Sequence, residues 1–118
     1  MFLPSSMQAW VCAQPTDMRR SYDGLCMLAR TVILQEPTSG HLFVFFGRRR
    51  DAVKVLYWDG TGFCIWSKRL EAGTFAPVTA DENSGSIQLD RAGLLLLLEG
   101  VDLAQTKKRK RFHLQLQT

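Results

Sequence analysis

Three groups of side chains in this sequence are equipped for chemistry. Arg48-Arg49-Arg50 stand together ahead of Asp51, with Lys54 close behind. Lys68-Arg69 follow two apolar runs later. Lys107-Lys108-Arg109-Lys110-Arg111 form a run near the C-terminus. Guanidinium groups grip phosphate through paired, charge-assisted hydrogen bonds, and neutralising the phosphate backbone supplies most non-specific affinity for DNA. These eleven positions are the nucleic-acid-binding candidates. Each has a plainer competing reading. The arginine triplet can be a solvated turn with an Arg–Asp51 pair, and the terminal run a solubilising tail. Its one neighbouring aromatic is Phe112, so stacking on bases has little support there. Arg19, Arg20 and Asp23 can extend a charged face or form an ordinary solvated helix side. Arg19 and Asp23, four residues apart, can pair.

The remaining reactive side chains assemble less well. Asp17, Asp23, Asp51, Asp59, Glu71, Glu99 and Asp102 would serve a metal-dependent nuclease only if carboxylates converged around one ion. Each has a simpler use: Asp17 as a helix cap, Asp59 in a turn, Asp51 as an arginine partner. His41 and His113 make no ligand spacing with a cysteine. Cys26 with His41 would form a nucleophile pair only if the fold brought them together. Cys12, Cys26 and Cys64 are odd in number and lie in apolar runs, which reads as buried free thiols and a reducing, cytoplasmic setting. No glycine-rich phosphate loop precedes a helix. No cofactor or metal is expected, and no catalytic residue is assigned.

The elements that must position the basic groups are legible in the apolar pattern. Gln8–Ala13 reads as a short strand with Trp10 and Cys12 on one face. From Met18 to Gln35 the apolar positions Met18, Tyr22, Leu25, Cys26, Ala29, Val32 and Ile33 recur at helical spacing, with Thr16 or Asp17 as the cap. That stripe puts Tyr22 in the core, and Gly24 allows close packing onto a sheet. Leu42–Phe46, apolar on both faces, suits a central strand. Ala52–Trp58 and Phe63–Lys68 flank an Asp-Gly turn, a strong hairpin signal. With Gly60-Thr61 at the tip, Tyr57 faces Cys64, Val55 faces Trp66 and Val53 faces Lys68. This register returns Lys68 and Arg69 to the end of the sheet that holds Arg48–Arg50. A one-residue slip would move every side chain. Trp10, Trp58 and Trp66 are assigned to packing over base stacking. Ser86–Leu89 reads as a strand, Asp90 as a cap, Arg91–Glu99 as a helix and Gly100 as its stop. Five consecutive leucines make that helix either buried or a sticky face for a partner.

Length and charge set the frame. The chain has 118 residues, enough for one domain with a modest core. Its net charge is +4, yet residues 1–106 hold 10 basic against 11 acidic residues, so the excess lies in the C-terminal run. The expected organisation is one globular domain over 1–103 and a flexible basic tail over 104–118. Leu94–Leu98 is too short an apolar run to cross a bilayer, and the N-terminus lacks the basic region of a signal peptide. The expected fold is α+β: a small antiparallel meander with a long helix packed on it and a short C-terminal helix. Leu25, Leu42, Val44, Phe46, Val53, Val55, Leu56 and Ile65 are the expected core.

Several motifs together resemble the TnpB accessory protein, the second reading frame of the IS sixty-six class of bacterial insertion sequences. The carriers are Thr16 to Leu25 (TDMRRSYDGL), Ser39 to Phe45 (SGHLFVF), Arg48-Arg49-Arg50-Asp51, Lys54 to Gly60 (KVLYWDG), Lys68 to Phe75 (KRLEAGTF) and Leu98 to Asp102 (LEGVD). They run collinearly through most of residues 4–103. Leu103 departs from a tryptophan often found after the last motif. The resemblance implies a non-catalytic role in transposition beside a larger protein that performs strand transfer. The transposase is the partner this role implies; DNA is the partner expected from the placement of the basic residues, and no membrane is expected from the short apolar runs. It carries no catalytic set and no role for the tail. Against this stand a module that docks the transposase through Leu94–Leu98 without touching DNA, and a small metal-dependent nuclease.

Overall fold

The computed structural model describes residues 7–78 and 84–100. Five strands, β1 (Ala9–Cys12), β2 (Leu42–Phe46), β3 (Ala52–Trp58), β4 (Phe63–Arg69) and β5 (Ser86–Leu89), form one sheet in the order β4-β3-β2-β1-β5. Helix α1 (Tyr22–Leu28) continues into a π-helical turn over Ala29–Ile33, and α2 (Arg91–Leu98) follows β5. The class is α+β, as expected, but the sheet is mixed. β1 runs parallel to β2, with Ala9 beside Leu42 and Val11 beside Val44, while every other pairing is antiparallel. The reason is the connection: a helix between two neighbouring strands returns the chain to the same end, which makes the second strand parallel. The hairpin register read from the Asp-Gly turn holds throughout, with Val53 opposite Lys68, Val55 opposite Trp66 and Tyr57 opposite Cys64.

The helix is shorter than the stripe predicts. α1 and its π turn together span 12 residues, seven and five, and begin at Tyr22 rather than Met18. The chain before it is held by the end of the sheet. The Thr16 N–H donates to the Phe46 carbonyl (2.8 Å), and Thr16 is buried. Asp17 accepts the Arg19 N–H (2.9 Å) in a tight local turn. Helical hydrogen bonds cannot begin until the chain clears this anchor. Ser21 therefore occupies the N-cap position, without a side-chain cap bond, instead of Thr16 or Asp17. Tyr22 is consequently exposed and outside the core. Gly24 makes room for the Arg20 side chain, 3.3 Å from where a Cβ would lie, and not for the sheet. At the far end Leu34, at φ 63, takes the left-handed position usually given to glycine.

The two faces of the sheet are covered differently. Phe43, Phe45 and Leu56 pack against Leu25, Cys26, Ala29 and Ile33 from the α1 side. Val44, Phe46, Val53 and Val55 pack against Leu94, Leu97, Leu98 and Phe75 from the other. β2 is buried along its whole length, as an apolar central strand should be. Of the expected core, only Ile65 is no more than partly buried, because β4 is an edge strand. Trp10 and Trp66 pack half-buried on the α1-side and α2-side cores respectively, and the half-buried Trp58 ring meets the Phe63 ring edge-on with centroids 5.0 Å apart. Cys12 and Cys26 are buried free thiols, and burial pushes the Cys26 thiol up from its ordinary pKa; Cys64, also free, is half-exposed. Asp90 caps α2 by accepting the Gly93 N–H (2.8 Å), and Gly100 stops it at φ 89.

Candidate nucleic-acid interface

The β2–β3 turn is built by Gly47 and Arg50. The Gly47 N–H donates to the Ala52 carbonyl (3.0 Å) and the Arg50 N–H to the Gly47 carbonyl (2.9 Å), which leaves Arg48 and Arg49 exposed at the tip. Arg50 goes the other way. Its φ of 59 is left-handed, a position where a non-glycine residue is strained by about 1 kcal/mol. From there its guanidinium lies 4.6 Å over the Phe46 ring. It donates through Nε to the Phe75 carbonyl (3.2 Å) and through a terminal nitrogen to the Ala76 carbonyl. The Phe75 N–H returns a bond to the Arg50 carbonyl (2.7 Å). Partial burial lowers the Arg50 pKa from its ordinary value. Arg50 therefore bolts the 70–76 segment across the sheet end. Charge-assisted bonds of this kind contribute roughly 1.5–3 kcal/mol each before strain is subtracted. Arg50→Ala should lower stability by about 2 kcal/mol in thermal unfolding followed by circular dichroism; an unchanged midpoint would show that the bolt carries no weight.

The anticipated Arg–Asp51 pair does not form. The ion pairs among the described residues are Arg19–Asp17 (2.7 Å) and Arg30–Glu36 (3.5 Å), and Asp51 instead offers its backbone carbonyl to Leu70 N–H (2.7 Å). Arg19 thus pairs with Asp17 and not with Asp23. The fork from Arg19 holds the Asp17 carboxyl well below the usual carboxylate range.

Lys54, Lys68 and Arg69 all lie at the arginine-turn end of the sheet, but not on one face. Lys54 sits opposite Ser67, and Ala52 opposite Arg69, so these four share the α1 face. Lys68 sits opposite Val53 on the α2 face and donates to the Leu98 carbonyl (3.0 Å). An ammonium there satisfies an orphan carbonyl and complements the negative end of α2. Lys54 donates to the Arg20 carbonyl (2.8 Å) at an exposed site, which draws Arg20 toward the same edge. Between the Met18 loop and the β3–β4 pair lies an open cleft of about 170 Å³ that includes Met18, Ala52, Lys54, Ser67 and Arg69 in its lining. Reading the sequence did not find Met18 or Ser67. Alternation along the strands could have found Ser67, since a residue opposite Lys54 must share its face; Met18 carries no such signal. The basic run Lys107–Arg111 lies outside the described residues.

The other reactive groups stay apart. His41 Nδ1 accepts the Gln8 N–H (3.1 Å), while Cys26 is in the core beneath α1, so they form no pair. Asp59 accepts the Thr61 and Gly62 N–H groups (2.9 and 3.0 Å), which lowers its pKa and fixes the hairpin tip. Among the described residues no three of His, Cys, Asp or Glu converge as metal ligands. No helix among them is long and apolar enough to cross a membrane.

Fold and charge together define a small α+β domain with a mixed sheet whose cations gather at one end. The chain matches the family model described as IS66 Orf2 like protein over residues 7–108. It belongs to that family, whose members are accessory proteins of insertion-sequence transposition. Two relatives from Sinorhizobium fredii (strain NBRC 101917 / NGR234) are similar along nearly their whole length. The uncharacterized protein y4hO is 37% identical over 102 residues, 85% of this chain and 87% of its own. The uncharacterized protein y4jC is 32% identical over 103 residues, 87% of this chain and 86% of its own. No solved structure matches the chain.

Proposed function

We propose that this protein is a non-catalytic transposition factor that holds element DNA, alone or with the transposase, through the arginine-turn end of its sheet. The observation that carries the reading is the placement of Arg48 and Arg49: exposed side chains at the tip of a tight turn, next to Arg20, Lys54 and Arg69 on one side. A turn needs no such charge for its own sake, and the residue that does serve the turn, Arg50, faces inward. The tail residues Lys107–Arg111 would add a second, less oriented contact. A cytoplasmic location accords with the free cysteines and with action on DNA. The competing docking module is left with a reduced surface, Leu95 and part of Leu96, because Leu94, Leu97 and Leu98 are buried within the chain.

Fluorescence anisotropy with labelled duplex DNA across a salt series tests this. Affinity should fall steeply and linearly on logarithmic axes as salt rises. A chain ending at Thr106 should keep part of that dependence. No binding at low salt would sink the DNA reading, and dependence on the tail alone would remove the turn from it.

A further inference from the structure

We propose that the cleft between the Met18 loop and the β3–β4 edge pair seats one sugar–phosphate unit of a DNA strand. This rests on the DNA-holding reading above and names the place and the atoms. The cleft has an apolar floor and a cationic rim. Ala52, the smallest side chain on this stretch of β3, leaves the space, and Met18 forms a wall. Met18 can lie there because of Gly47: a Cβ at that position would come within 2.8 Å of the Met18 Cγ. Lys54, Arg69 and Ser67 are among its lining residues, and among the described residues no Asp or Glu lines the cleft.

That composition matches a deoxyribose-phosphate better than a bare anion. The C–H face of the sugar packs on Met18 and Ala52. The phosphate oxygens lie between Lys54 and Arg69, with the Ser67 hydroxyl as a further donor. Lys54 is already oriented by the Arg20 carbonyl at 2.8 Å, which uses one of three ammonium donors and lowers the entropy lost on binding. Parity decides which neighbours can join. Lys68 also lines the cleft, but its ammonium is tied to the Leu98 carbonyl on the opposite face, so its charge stands outside the contact. Arg48 and Arg49, in the adjoining turn, would take neighbouring phosphates of the same strand.

The test is anisotropy with a fluorescein-labelled duplex from the element terminus, at several salt concentrations, using the full chain. Lys54→Ala and Arg69→Ala should each lower the slope of log affinity against log salt by about one, with thermal midpoints close to wild type. Lys54→Arg should retain the slope. Arg91→Ala removes one charge from α2, on the other side of the sheet, and should leave it unchanged. A single neutral methylphosphonate placed along the strand should abolish the difference between wild type and Lys54→Ala at one position. If both alanine variants bind like wild type while a charge-reversed arginine turn binds poorly, the cleft assignment is wrong and the DNA reading stands. If wild type binds no DNA, both fail together. If instead the transposase binds wild type and not Lys54→Ala, with DNA affinity unchanged, the cleft belongs to an acidic protein surface and the proposal is overturned.

Discussion

Replacing both Arg48 and Arg49 by glutamate is expected to weaken DNA binding by roughly a hundredfold at low salt and to reduce the salt slope by about two. The two side chains are exposed, and neither takes part in an ion pair among the described residues. Their loss therefore removes phosphate contacts without removing a structural bond. Reversal then adds like-charge repulsion against the strand, which costs more than neutralisation. The fold should tolerate the change, because the backbone bonds of the turn run through Gly47, Arg50 and Ala52. Anisotropy and circular dichroism on the same preparation check both halves. Unchanged affinity with an intact fold would dismiss the turn as a DNA contact. Arg50 must be left alone in this experiment, since its loss would act through stability.

The second large effect is on stability. Leu97→Ala should cost about 2–5 kcal/mol, the usual range for a fully buried leucine that leaves a cavity. Leu97 has 0% exposure and packs into the cluster that joins α2 to Val44, Phe46 and Val55. For a chain of this size the thermal midpoint should fall by about 10 °C or more. Leu95→Ala is the matched control. Leu95 is 40% exposed, so its truncation should stay within about 0.5 kcal/mol. Equal, small effects of the two changes would mean that α2 is not docked on the sheet and would restore the leucine run as a surface for a partner.

The strands were legible because two-residue alternation and the Asp59-Gly60 turn speak locally. β2 and β3 have the limits their apolar runs suggest, and Ser86–Leu89 with its Asp90 cap stands where composition places it. The helix start was not legible. Its failure lies with Thr16, whose backbone bond goes to Phe46, thirty residues on, and no local pattern encodes that bond. The parallel pairing of β1 follows from the strand–helix–strand order once β1 and β2 are neighbours, and that adjacency has no local signal. Of the site, the gathering of Arg48, Arg49, Lys54, Lys68 and Arg69 at one end followed from the register. Their division between two faces also follows from alternation, but it becomes visible only when parity is counted from a shared pair. The inward turn of Arg50 was out of reach, because its partners Phe75 and Ala76 sit in a segment without periodicity.

The position of β1 has a consequence for how the chain assembles. β1 is the first strand in sequence, yet it lies between β2 and β5, pairing Ala9 with both Leu42 and Leu89. The hairpins β2–β3–β4 close through neighbouring turns and can form early. β1 must wait for the α1 crossover to bring it alongside β2, and β5 has no strand to join until β1 has arrived. Loop closure over such separations is slow to be repaid, so in pulse-labelled refolding the amides of β2–β4 are expected to gain protection before those of β1 and β5. During synthesis β1 is thus without its antiparallel neighbour until Ser86–Leu89 has emerged.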